Sequence, residues 1–83
     1  MSLWHPSAWE DYVYWQQNDR KILVRINELI RDCQRNPRSG IGKPEPLKHA
    51  LSGYWSRRIN EEHRLVYTVD GKTLIIAQCR YHY

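Results

Sequence analysis

Between residues 20 and 35 the apolar side chains Ile22, Leu23, Ile26, Leu29, Ile30 and Cys33 recur at three- and four-residue steps. That spacing lays one stripe along a helix. Lys21, Arg25, Glu28, Arg31, Asp32 and Arg35 fall on the opposite side. Asn18-Asp19 ahead of the stripe supplies an N-cap, and Asn36-Pro37 ends it, because a residue before proline avoids the α region. An earlier helix is predicted over about 8–17, where Trp9, Tyr12 and Val13 share a face and Ser7 with Glu10 reads as a capping box. Beyond Gly53 the period falls to two. Residues 54–60, 63–69 and 73–81 read as strands, with Asn60-Glu61-Glu62 and Asp70-Gly71 as turns. A short strand at Leu3-Trp4 can precede the first helix. The stretch 37–53 holds three of the four prolines and three of the four glycines and reads as a long loop, stiffened where Pro44 and Pro46 flank Glu45. The expected fold is α+β in the order β-α-α-β-β-β, an antiparallel β-sheet with two N-terminal helices packed on one face, formed by residues 1–83 as one domain.

Strand parity sharpens this. Leu65, Tyr67 and Val69 form one apolar side of the second predicted strand, and Ile75, Ala77, Cys79 and Tyr81 form one side of the third. A three-residue loop, Asp70-Gly71-Lys72, would pair Val69 with Thr73 and Arg64 with Gln78 and keep both faces consistent. The polar face then collects Arg64, Gln78, Arg80 and His82, and Arg58 joins it from the neighbouring strand by parity with Tyr54 and Ser56.

Composition narrows the class. Eighty-three residues allow one small domain, too small for a Rossmann-type nucleotide-binding enzyme. No apolar run approaches the roughly 20 residues of a membrane span, and Met1–Pro6 has neither the basic nor the apolar region of a signal peptide. Two cysteines, Cys33 and Cys79, are too few for a disulfide scaffold, and each falls at a core position. No paired cysteine or histidine spacing suggests zinc. A soluble cytoplasmic domain is the expectation. The net charge is +4, and residues 31–64 alone hold eight basic against four acidic groups. Such an excess suits a polyanionic partner, and equally a solvated basic surface. All ten aromatics are Trp or Tyr, rings that carry a polar handle and suit either a small core or an RNA-facing surface.

The arginines beside His82, with Glu45 and Lys48 on the adjoining loop, are the residue types that metal-free RNA cleavage requires. A base takes the proton of a ribose 2′-hydroxyl, cations hold the phosphate, and an acid protonates the departing 5′-oxygen. Each residue also has a plainer reading: Glu45 as a solvated loop carboxylate, Arg57, Arg58, Arg64 and Arg80 as a solvent-facing surface, His82 as a terminal residue. His5, His49 and His63 have no sequence partner that marks them.

Longer motifs carry the reading further. Gly42-Lys43-Pro44-Glu45-Pro46-Leu47-Lys48-His49, Leu51-Ser52-Gly53-Tyr54-Trp55-Ser56-Arg57-Arg58-Ile59, Glu61-Glu62-His63-Arg64-Leu65-Val66-Tyr67 and Cys79-Arg80-Tyr81-His82-Tyr83 closely resemble the YoeB (Txe) toxins of the RelE superfamily. Asp11-Tyr12, Tyr14-Trp15 and Ile26-Asn27-Glu28-Leu29-Ile30 extend the resemblance along the whole chain. Arg38-Ser39-Gly40-Ile41 departs from the family pattern, in which an aromatic is more usual near Arg38. The resemblance implies the toxin of a type II toxin–antitoxin system: a ribosome-dependent endoribonuclease that cuts mRNA in the ribosomal A site and stops translation. By motif, Glu45 resembles the general base, His82 the general acid and Arg64 the residue that stabilises the scissile phosphate. Lys48 and Arg58 resemble the phosphate-binding cations, and Tyr83 a residue that orients the substrate. His49, Arg57 and Tyr81 are lesser RNA-binding candidates. It further implies no metal or other cofactor, frequent homodimers, silencing by a YefM-like antitoxin, and contact with operator DNA only through the antitoxin complex. The alternative from another class is a non-enzymatic inhibitor that blocks the A site by occupancy. A catalytically dead regulator that titrates antitoxin is a third reading, and the joint presence of Glu45, Arg64 and His82 argues against it.

Overall fold

The structure, a computed structural model, describes residues 2–82. The chain runs β1 (Ser2–Trp4), α1 (Pro6–Asn18), α2 (Arg20–Arg35), β2 (Glu45–Pro46), a 3-10 turn (His49–Leu51), β3 (Trp55–Arg58), β4 (Arg64–Asp70) and β5 (Thr73–Gln78). The strands form one sheet in the order β1-β5-β4-β3-β2. Every neighbouring pair is antiparallel except β1 with β5, which is parallel. The α+β class stands, and the short first strand makes the sheet mixed.

The stripe on α2 does what its spacing predicts. Ile26, Leu29 and Cys33 are buried with Ala8 and Trp15 of α1 against Leu65, Tyr67, Leu74, Ile76 and Cys79. The side chain of Asp19 caps α2, accepting from the backbone N–H of Lys21 at 3.1 Å and of Ile22 at 3.2 Å. The first helix begins earlier than its capping box suggests. Pro6 occupies its first turn after His5, and Ser7 lies inside the helix. A proline has no N–H to leave unpaired there and its φ is already helical, so it sets the start.

The strands depart from simple alternation in three ways. The hairpin turn has two residues, Gly71 and Lys72, between the paired Asp70 and Thr73, with Gly71 at φ 62°. The three-residue loop that would pair Val69 with Thr73 is not formed; Val69 pairs with Leu74. Further along, Tyr67 pairs with Ile76 but Val66 pairs with Gln78, so Ala77 is an extra residue in β5. A bulge of this kind reverses the facing of whatever follows. The two-residue turn puts Leu74 and Ile76 in the core where Ile75 and Ala77 were expected, and the bulge turns Gln78 to the opposite face and Cys79 back to the core. Finally, residues 45–46 within the expected loop form the edge strand β2.

Candidate functional site

The site is built on the sheet face turned away from the helices, and the strand register assembles it. Directly paired residues on neighbouring strands share a face. Glu45 pairs with Ser56, Ser56 with Val66, and Val66 with Gln78. Two positions along, Arg58 pairs with Arg64. Glu45 of β2 thereby joins the face of Arg58 and Arg64. The 42–47 segment is held beside β3 by the Gly42 carbonyl, which accepts from Arg58 N–H at 2.7 Å, and by Leu47 N–H, which donates to the Tyr54 carbonyl at 2.9 Å. Pro46 sits in the outermost strand, where a missing donor costs no sheet bond.

His82 arrives by a different route. After β5 the chain leaves the sheet and is tied down residue by residue. The Trp15 indole N–H donates to the Cys79 carbonyl at 2.9 Å, and Cys79 N–H donates to Asp11 Oδ2 at 3.3 Å. The Arg80 guanidinium stacks 3.6 Å above the Tyr14 ring, on the α1 side. Tyr81 N–H donates to His63 Nδ1 at 2.7 Å, and its carbonyl accepts from Arg64 N–H at 3.0 Å. Tyr81 takes a left-handed φ of 65°. Burial raises the Asp11 carboxyl above its ordinary value, against the Cys79 N–H and the Arg80 charge, which lower it.

The result is a cleft of about 290 Å³ lined by Lys43, Glu45, Ser56, Arg58, Arg64 and His82. Three cations, one carboxylate and one imidazole thus face one small volume. Nη1 of Arg64 donates to the carbonyls of Asn60 at 2.6 Å, His63 at 3.1 Å and Glu61 at 3.3 Å, so backbone fixes this guanidinium. Lys48 and His49 line an adjoining hollow of about 390 Å³ that shares Glu45 with the cleft. Among the described residues no group of three His, Cys, Asp or Glu side chains is arranged to hold a metal ion, and no helix is long and apolar enough to cross a membrane.

Several expected residues stand elsewhere. Arg57 is not on the cleft. It is fully buried on the helix side, and its guanidinium donates to Asp32 Oδ2 at 2.5 Å, Ser39 O at 2.9 Å, Tyr67 Oη at 3.0 Å, Ile41 O at 3.1 Å and the Asn36 carbonyl. Alternation along β3 separates it from Arg58. Arg80 does not join the polar face either, because the strand ends at Gln78 and its side chain turns to Tyr14. The Tyr81 ring is exposed rather than in the core, and its backbone supplies the site's tether. Tyr83 lies outside the described residues. Sequence reasoning passed over Lys43, which stands just before β2 in a left-handed conformation with φ 52°, and His63, which no local pattern marks.

Comparison with known proteins shows what the chain is similar to. Residues 4–83 match the family model described as YoeB-like toxin of bacterial type II toxin-antitoxin system. The chain is 62% identical over 81 residues to toxin YoeB of Escherichia coli K12, covering 98% of this chain and 96% of that protein. It superposes on a chain of the YoeB-YefM complex from Staphylococcus aureus with a TM-score of 0.94 at 56% identity, covering 100% of this chain and 97% of that one. A YoeB dimer from the same organism matches with a TM-score of 0.92 at 58% identity, covering 99% and 95%.

Proposed function

The chain belongs to the YoeB-like toxins of bacterial type II toxin–antitoxin systems, and from that premise we propose that it is an endoribonuclease acting on mRNA in the ribosomal A site. The observation that carries the proposal is the convergence of Glu45, Arg58, Arg64 and His82, from three strands and the segment after β5, on one cleft. Glu45 takes the proton of the ribose 2′-hydroxyl adjoining the scissile phosphate. The freed oxygen attacks phosphorus and closes a cyclic phosphate. His82 acts as the acid that gives a proton to the departing 5′-oxygen. Arg58 and Arg64 neutralise the charge that builds on the phosphoryl oxygens, and Lys43 and Lys48 hold the flanking backbone. Positioning and the fixed cations supply most of the rate. Arg57 has no part in this chemistry; Tyr83 would orient the substrate as the family motif implies.

The same premise supports a YefM-like antitoxin as the partner that silences the toxin, and a homodimer as its free form. Operator DNA would be met only through the antitoxin complex. The test is primer extension on mRNA from a translation reaction with purified 70S ribosomes, comparing wild type with His82→Ala. Breaks at A-site codons with wild type alone are expected. Translation arrest by both proteins without breaks would instead identify an inhibitor that acts by occupying the A site.

A further inference from the structure

His63 lies outside the cleft, yet its ring is the fixed point from which the last described residues hang. It is 6% exposed, wedged edge-on against Trp15 with ring centroids 4.8 Å apart and tilted against Tyr81 at 5.6 Å. Its backbone is as firmly held. Asn60 Oδ1 accepts from the N–H of His63 at 2.8 Å and of Glu62 at 2.9 Å, and the His63 carbonyl accepts from Ile59 N–H at 3.0 Å and Arg64 Nη1 at 3.1 Å. Because Tyr81 N–H is a donor, Nδ1 must offer its lone pair, so the ring proton sits on Nε2, 3.6 Å from Glu62 Oε1.

Tyr81 adopts φ 65°, a conformation that a residue with a Cβ disfavours and keeps only where its surroundings enforce it. Its N–H to His63 and its carbonyl from Arg64 N–H enforce it here, and Gln78 Nε2 adds a bond to the Arg80 carbonyl at 2.9 Å and a longer one to the Tyr81 carbonyl at 3.4 Å. The turn at Tyr81 separates Arg80, which stacks on Tyr14 behind the sheet edge, from His82, which lines the cleft.

We propose that His63 is a positioning residue: by accepting the Tyr81 N–H at Nδ1 it holds the left-handed turn that delivers His82 to the cleft. It touches no reacting atom, and the proposal rests on the acid role given to His82 above. A misplaced acid costs turnover and not binding, because the cations that hold RNA belong to other segments.

The test compares His63→Leu, His63→Asn and His63→Gln in the 70S cleavage assay, with wild type and His82→Ala alongside. Asparagine puts an oxygen acceptor where Nδ1 was; glutamine is equally polar but carries its oxygen one bond further out. Asn is expected to stay within a few-fold of wild type, while Leu and Gln lose roughly 10²-fold in kcat at unchanged KM for the programmed ribosome. If the Leu variant does not fold, the Asn–Gln pair alone decides. Equal turnover in Asn and Gln, or a loss that falls on KM, overturns the proposal. Cleavage that persists in His82→Ala refutes the acid role itself. Hydrogen exchange at the Tyr81 amide then decides the tether: protection kept in Asn and lost in Gln sustains it, and equal protection overturns it.

Discussion

Arg57 and Arg58 are adjacent in sequence and opposite in consequence, and replacing each in turn separates stability from chemistry. Arg57→Leu removes five donated bonds: to Asp32, to the carbonyls of residues 36, 39 and 41, and to Tyr67 Oη. Each such bond to a charged donor is worth about 1.5–3 kcal/mol when its acceptor stays dry. Most of these acceptors do not. Asp32 is partly exposed, residues 36, 39 and 41 lie at the surface, and all regain water. Tyr67 keeps its own bond to the Pro37 carbonyl at 2.6 Å. The net loss is therefore about 3–5 kcal/mol, against a total stability of about 4–12 kcal/mol for a domain of this length. Thermal unfolding should fall by at least about 12 °C, with the urea midpoint falling in step. Arg58→Ala removes an exposed side chain that faces the like charge of Arg64. It should leave stability within about 0.5 kcal/mol and abolish most cleavage. Calorimetry and Trp fluorescence in urea read the first effect, and primer extension reads the second. An Arg57→Leu protein melting within about 4 °C of wild type would refute the role of that guanidinium as the clasp of the 36–41 loop.

Three further outcomes are expected. Gly42→Ala should destabilise by at least about 1 kcal/mol in urea titration, because φ is 79° and the new methyl would lie 2.7 Å from Leu29 Cδ2 and 3.1 Å from Arg57 Cβ; an unchanged midpoint would contradict it. The Arg57 hydrogen bond, aided by Ile41 N–H, holds the Asp32 carboxyl below its ordinary value. Its stabilisation is therefore complete above the ordinary value near 3.8 and is lost as the pH falls from there through the depressed folded value; the urea midpoint of wild type should drop over that window, and that of Asp32→Asn should drop less. Burial pushes the Cys33 thiol up to about 11 and the Cys79 thiol up to about 12. An aromatic disulfide reagent at neutral pH should release colour from neither until urea unfolds the chain, and a stoichiometric reaction under native conditions would show that either core position opens.

What the chain discloses without coordinates follows from how local its causes are. The second helix carries its stripe, its cap and its stop within some twenty residues, and its boundaries emerge as the spacing predicts. Arg58 and Arg64 come to one face because alternation along short strands is a local rule. The bulge at Ala77 is not local: it is chosen where Ile76 and Cys79 must both reach the helices, and alternation alone assigns Ile76 to the wrong side. Strand β2 has two residues, one a proline, too few to show any period. Residue type misleads at Arg57, since a buried guanidinium requires acceptors from distant segments that no window reveals. His63 has the same character: its partners are Trp15, far earlier in the chain, and the backbone of Tyr81. The motif resemblance, by contrast, names Glu45 and His82 without knowing what carries them to the cleft.

The parallel pairing of β1 with β5 sets an order on the birth of the molecule. Ser2 and Leu74 are partners, so β1 has nothing to join until the strand that follows both helices and three other strands has been made. Closing so wide a loop is entropically dear, and it comes after the helices and the β4–β5 hairpin, whose contacts are near in sequence. Trp9 and Leu3 stay half-open to water even in the finished fold. On the growing chain they stand beside a strand still waiting for its mate, so this apolar seam is the last to close.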